Sequence, residues 1–329
     1  MPKSQGPTDV QTHFLPSAMV DALESRDAMP WIVDGEHGRM VQYGEGGAYP
    51  LLDEMVDIDR KLEQMDEAGI GVSVLSLNIP GLDGFDPADA VSLARDVNDE
   101  LAGLAAAHPD RLAGLAALPM QAPEAAVAEL ERAMGLGLRG AIMYSNAGGR
   151  SLDEPEFRQV FDAAAELDAP FLLHPTYPLS APSLNAHALV PVIGFLFDTT
   201  TATLRLILDG LFQRHPDFKL ILGHVGSVIP YIVGRIDYES SRIPGGLGSL
   251  DGPPSEDIRK LYVDTVSAWP PAIEMVIDYL GADRVLYATD HPFWDPVRTR
   301  DAMAAVELSD SDREAIETGN AARLLRLGA

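Results

Sequence analysis

The chain contains no cysteine. That excludes disulfides, thiolate metal ligands and a cysteine nucleophile, and it fits a cytoplasmic protein. Basic residues are also scarce. Only 24 Lys and Arg stand against 50 Asp and Glu, a formal net charge of −26. Nucleic acid and anionic membranes both require a basic face, so neither is expected as a partner. An anionic substrate would be repelled, so a site for one needs a local arginine or a metal ion. No uninterrupted run of about 18 apolar residues occurs, so no membrane span is expected. The polar N-terminus reaches its first apolar stretch within about ten residues, so no secretory leader is expected. No Gly-rich phosphate fingerprint follows the first strand, which disfavours a doubly wound nucleotide-binding sheet.

What is present is a hydrophobic fraction of 46%, ample for a large core. It is arranged as short apolar strands alternating with helical stretches. Strands are expected over 8–15, 72–78, 112–119, 140–146, 170–176, 219–226, 261–267 and 284–291. Several are apolar at nearly every position, as strands buried on both faces should be. Helical periodicity covers 56–69, 87–108, 122–137, 154–168, 199–216 and 270–282, with two short helices at the C-terminal end. Gly69 reads as a helix stop and Ser309 or Asp310 as a helix start. Eight strands, mostly each followed by a helix, predict an α/β fold of the parallel (β/α)8 TIM-barrel type, one domain over 1–329. The polar, Gly-containing stretch 16–55 is expected as a long loop insertion after strand 1, over the barrel mouth. A second irregular stretch, 176–198, follows the fifth strand.

In such barrels the chemistry sits at the C-terminal ends of the strands. In "TDVQTHFLP" Gln11 and His13 share one face of the first strand. His174 ends the fifth strand, His224 the sixth, and Asp290 with His291 the eighth. The remaining histidines, at 37, 108, 187 and 215, fall in loops or before prolines. Each strand-end residue alone is more often structural. Imidazoles and a carboxylate converging on one mouth, however, have the chemistry of a Zn2+ or similar site with an open position for water or substrate.

The stretches "DVQTHFLP", "KLEQMDEAGIGVSVLSL", "RLAGLAALPMQAP", "LLHP", "HPDFKLILGHVGSVIPYIVGRID", "LYVDTVS" and "DRVLYATDHPFW" resemble the amidohydrolase superfamily. Within it they resemble the metal-dependent decarboxylase branch typified by 2-amino-3-carboxymuconate-6-semialdehyde decarboxylase. The resemblance implies one divalent ion, Zn2+ first and Mn2+ second, on Gln11, His13, His174 and Asp290. It implies His224 as proton relay, with Asp290 as ligand, proton shuttle or both. It also implies that Arg235 is lent to a neighbouring subunit's site, hence a homodimer, and that Arg39 meets the substrate carboxylate. Two departures stand out. Gln11 occupies a position where the family usually has His, and related branches Glu. An amide is a poor donor beside imidazole, so a weaker site preferring an oxygen-tolerant ion such as Mn2+ is expected. Where the typical member has aromatic residues after the fifth strand, this chain reads "SLNAHALVPVIGFLFDTT", so the pocket wall is expected to differ and the substrate need not be the muconate semialdehyde. The expected activity is non-oxidative decarboxylation of a small unsaturated or aromatic carboxylic acid. Metal-dependent hydrolysis of an ester, lactone, amide or C–C bond is the alternative, and a metal-free binding protein a third.

Overall fold

The structure is a computed structural model, and it describes residues 6–35 and 38–328. His37 lies outside the described residues. The strands are β1 (Thr8–Phe14), β2 (Trp31–Gly35), β3 (Gly38–Gly44), β4 (Gly47–Pro50), β5 (Val72–Leu77), β6 (Leu112–Gly114), β7 (Ala116–Ala117), β8 (Ala141–Tyr144), β9 (Phe171–His174), β10 (Leu220–Leu222), β11 (Tyr262–Asp264) and β12 (Val285–Leu286). The first six helices used below are α1 (Ser17–Glu24), α2 (Ile58–Ala68), α3 (Pro87–Ala107), α4 (Pro123–Gly135), α5 (Arg158–Glu166) and α6 (Phe195–Leu208).

Two parallel sheets carry the fold, in the orders β1-β5-β6 and β12-β11-β10-β9-β8-β7. Parallel neighbours need crossover connections, and helices such as α3 through α6 supply them. The strand expected over 112–119 is split at Leu115. β6 pairs with β5, whereas β7 pairs with β8. Leu115 N–H still donates to Leu75 C=O at 2.9 Å, while Ala116 N–H turns to Gly140 C=O at 2.8 Å. At the other edge, Val10 N–H donates to Tyr287 C=O and His13 N–H to His291 C=O, at 3.1 and 2.9 Å.

Strand residues alternate between two buried clusters. Val10, Val74, Ala113, Leu115, Leu172, Ile221, Leu286 and Ala288 pack with one another. Their neighbours, among them Leu75, Leu173 and Leu222, belong to the larger cluster shared with the helices. α2 shows how locally this is written. The Asp57 carboxylate caps its start by accepting from Asp59 and Arg60 N–H, and Gly69 ends it at φ +71, a conformation that costs glycine little. Ser309 caps the helix that begins at Asp310 by accepting from Asp312 N–H.

The stretch 16–55 departs from the expected loop. It holds α1 and an antiparallel sheet, β2-β3-β4. Its glycines read as turn residues, yet Gly35, Gly38, Gly44 and Gly47 lie in strands, and the last two make room for rings. A Cβ on Gly44 would come within 2.5 Å of the Tyr177 ring, and one on Gly47 within 2.6 Å of the Tyr43 ring. Val190–Leu208, which includes α6, is long and apolar enough overall to cross a bilayer, although Asp198 and Arg205 interrupt its apolar run. Half of it is buried inside the protein, and Asp198, Thr199, Thr200 and Thr203 are among its buried residues. That is the pattern of a packed helix, not a lipid-facing one.

Candidate active site

Four residues expected at strand ends meet. His13, His174 and Asp290 each offer a ligand atom, all within 4.8 Å of one another. Asp290 is the hub. His13 Nε2 lies 2.9 Å from its Oδ1, His174 Nε2 3.6 Å from the same oxygen, and His224 Nε2 3.5 Å from Oδ2. The His13 and His174 rings stand edge to face at 4.6 Å, and His174 and His224 are 5.7 Å apart.

The strand ends explain the aim of each side chain. β9 ends at His174, whose Nδ1 sits 2.8 Å from Pro175 C=O. A carbonyl only accepts, so Nδ1 carries the proton and Nε2 presents a lone pair. That Nε2 is buried without a hydrogen-bond partner among the described residues. His224 and Asp290 lie just past strands shorter than expected, in left-handed backbone at φ +58 and φ +59. Non-glycine residues there are strained, and such strain concentrates at functional sites.

Electrostatics follow from burial and grouping. Burial works to raise the Asp290 carboxyl, but the three imidazoles outweigh it and hold it well below the usual carboxylate range. Burial and the neighbouring His13 pull His174 down to about 4. Burial also opposes charge on His224, but Asp290 and then Asp264 prevail and raise it. The ionised carboxylate of Asp290 and the neutral lone pair of His174 are donors suited to a divalent cation, and His224 stands beside them as an imidazole that favours its proton.

Gln11 is fully buried, and its Nε2 donates to Asp290 Oδ1 at 2.9 Å. Its Oε1 has no hydrogen-bond partner among the described residues. His291, grouped with the others by sequence, faces away toward Lys61, with Nδ1 2.8 Å from Nζ. Arg39, on β3, pairs with Glu24 of α1, both nearly half exposed. Arg235 lies on the helix Ile229–Arg242, 76% exposed, with Glu239 as its ion-pair partner at 3.9 Å.

Other members of the site were not singled out from sequence. Phe293 packs edge to face against His13 at 5.9 Å and against Tyr49 at 5.2 Å, and Tyr43 and Tyr177 extend this aromatic wall. Tyr49 reaches the site from β4, which the loop reading concealed. Ser76 Oγ lies 3.3 Å from His13 Nδ1. Asn78, just past β5, is fully buried. Lys61 is buried beneath the site; its spacing with Met65 and Ala68, also buried, is the one sequence signal that it faces inward.

The amidohydrolase family model matches residues 8–327. The gamma-resorcylate decarboxylase of Rhizobium radiobacter is 32% identical, covering 98% of this chain and 99% of its own length. The 2-amino-3-carboxymuconate-6-semialdehyde decarboxylase of Dictyostelium discoideum is 29% identical, covering 97% and 91%. Among solved structures, a dihydroxybenzoic acid decarboxylase from Polaromonas sp. JS666, with bound manganese and the inhibitor 2-nitroresorcinol, superposes with a TM-score of 0.84. It is 31% identical and covers 99% of this chain and 98% of its own.

Proposed function

The chain belongs to the amidohydrolase family, and we propose that it is a metal-dependent carboxy-lyase that removes CO2 from a small aromatic carboxylic acid. The carrying observation is the convergence of His13, His174 and His224 on one ionised carboxylate, Asp290, beside an aromatic wall. Decarboxylases of gamma-resorcylate and dihydroxybenzoic acid among its relatives support the substrate class.

His13, His174 and Asp290 would hold the ion, with the unpartnered Gln11 Oε1 as a weak fourth ligand. The buried, unpartnered His174 Nε2 fits that assignment. The ion is Zn2+ or Mn2+, and the manganese of the Polaromonas relative favours the latter. Such an ion supplies fixed positive charge for substrate oxygens, the chemistry of a Lewis acid. The protein's own part is proton delivery. Loss of CO2 from a ring carbon leaves an electron pair localised in the ring plane. Protonating that carbon first gives the pair of the breaking C–C bond a place in the ring. His224, held protonated by Asp290, delivers the proton from Nε2. Asp290 meets His224 through Oδ2 and His13 and His174 through Oδ1, and can pass the proton on. The net change is one proton taken up and one CO2 released.

Arg235, Arg39 and the assembly belong to the same proposal. Tyr231, Arg235 and Tyr238 follow at helical spacing, and the two tyrosines are 79% and 64% exposed. A homodimer in which Arg235 enters the neighbouring site would cover this face and supply the cation an acidic protein needs for a carboxylate. Arg39, freed from Glu24, is the candidate for a second carboxylate contact. For the fold, we infer a single closed (β/α)8 barrel over 1–329, its seam made by the bonds from Val10 and His13 to Tyr287 and His291. The β2-β3-β4 sheet would be an insertion over its mouth. A cytoplasmic location completes the reading.

The test is incubation with Mn2+ and a panel of hydroxybenzoic acids, 2,6-dihydroxybenzoate included, following CO2. Stoichiometric CO2 with a product one carboxyl shorter supports the proposal. Products that keep every carboxyl and gain water would make the protein a hydrolase.

A further inference from the structure

Lys61 is 1% exposed. An ammonium taken out of water is costly unless its donors are satisfied. Asp9, Glu54 and Asp290 are near enough to attract it. Its three N–H bonds nevertheless find other acceptors: His13 C=O at 3.0 Å, His291 Nδ1 at 2.8 Å and, more weakly, His291 C=O at 3.4 Å. Lys61 therefore bridges the end of β1 to the segment that carries Asp290.

The same segment is held from its other side. Asp9 Oδ1 accepts from Thr289 N–H at 3.0 Å and from Gln11 N–H at 3.2 Å, and Oδ2 accepts from the Thr289 hydroxyl. Thr289 Oγ1 in turn accepts from His291 N–H at 3.2 Å. Residues 289 and 291 are thus fixed on either side of Asp290, whose backbone is left-handed at φ +59. Such a conformation persists only where its surroundings impose it.

We propose that Lys61 is a positioning residue that sets the separation of His13 and Asp290 by tying their backbones together from below the site. It touches neither ion nor substrate. The proposal rests on the assignment of His13 and Asp290 as metal ligands.

Lys61→Met keeps the volume and removes the donors. Mn2+ dissociation constants of metal-free wild-type and variant protein, measured by calorimetry, are the readout independent of turnover. We expect Mn2+ affinity to fall by about tenfold or more, with kcat reduced more than KM is changed. Lys61→Arg, which retains donors, should recover part of the affinity. If Lys61→Met does not fold, His291→Leu removes one of the same bonds and should weaken Mn2+ in the same direction. A folded Lys61→Met with Mn2+ affinity and kcat at wild-type values, whatever its melting temperature, would overturn the proposal. A wild-type protein that binds Mn2+ but decarboxylates nothing would sink the proposed function and leave this comparison intact. One that binds no divalent ion would overturn both.

Discussion

Gln11 and His13, two residues apart on β1, direct nitrogens at the same atom: Gln11 Nε2 and His13 Nε2 both lie 2.9 Å from Asp290 Oδ1. Adjacent positions on one strand face thus converge on a residue 279 and 277 positions further along the chain. The neutral amide restrains the carboxylate without adding charge.

Gln11→Glu sharpens that point. A second carboxylate beside Asp290 repels it in the metal-free protein and attracts a divalent ion. We expect the metal-free melting temperature to fall and the rise on adding Mn2+ to grow, since ion binding adds to folding stability. Thermal melts with and without Mn2+ check both. Equal shifts in variant and wild type would place the Gln11 side chain outside the ion's reach.

His174 and His224 are predicted to separate binding from chemistry. His174→Ala should purify without stoichiometric metal. His224→Ala should keep its metal while turnover drops by a factor of about 10²–10⁴, the usual share of a proton-transfer group. Elemental analysis and CO2 release on the same samples test this. Near-normal turnover by His224→Ala would remove it from the mechanism.

His174 should cost the metal-free protein stability in mild acid. His174 stays neutral down to about 4, against 6.5 for a free imidazole. Between those values the unfolded chain holds more protons at this site, so stability falls as pH drops through that window, by on the order of 3 kcal/mol. His291, lowered to about 3, acts in the same direction. His224, raised, acts in the opposite sense and only above the ordinary value. The Asp9 and Asp83 carboxyls, raised by burial to about 7, gain stability over the same range. The check is therefore the difference between chelator-treated wild type and His174→Gln in melting temperature from pH 7 to pH 4, which should shift in favour of the variant as pH falls.

Arg235→Ala and His224→Ala should each be nearly inactive alone. Mixed after reversible dissociation, they should regain about a quarter of wild-type activity, because half the dimers are mixed and one site in each is intact. No recovery, with mixed dimers demonstrated, would assign Arg235 to its own subunit or to the surface.

The site was legible because its histidines stand where apolar strands stop, a place read from hydrophobicity alone. The α/β character and the parallel sheets were legible for the same reason. β2 to β4 were not, since Gly44 and Gly47 signal turns until the tyrosine rings they accommodate are seen. Lys61 was missed because a lysine between Arg60 and Leu62 on an acidic helix reads as solvated. Only its three backbone and ring acceptors, brought from positions 13 and 291, make burial tolerable. His291 was overcounted with the other strand-end histidines, since a one-residue step past Asp290 turns it toward Lys61.

The left-handed backbone at His224 and Asp290 bears on any attempt to harden this protein against heat. Each position holds a side chain where glycine would relieve about 1–2 kcal/mol. A library screened for thermal survival alone is therefore drawn to glycine at 224, and at 290 wherever relief of the backbone outweighs the loss of the shared acceptor of Gln11 and His13. Its winners would be tougher and catalytically silent, so such a screen needs an activity gate at these two codons.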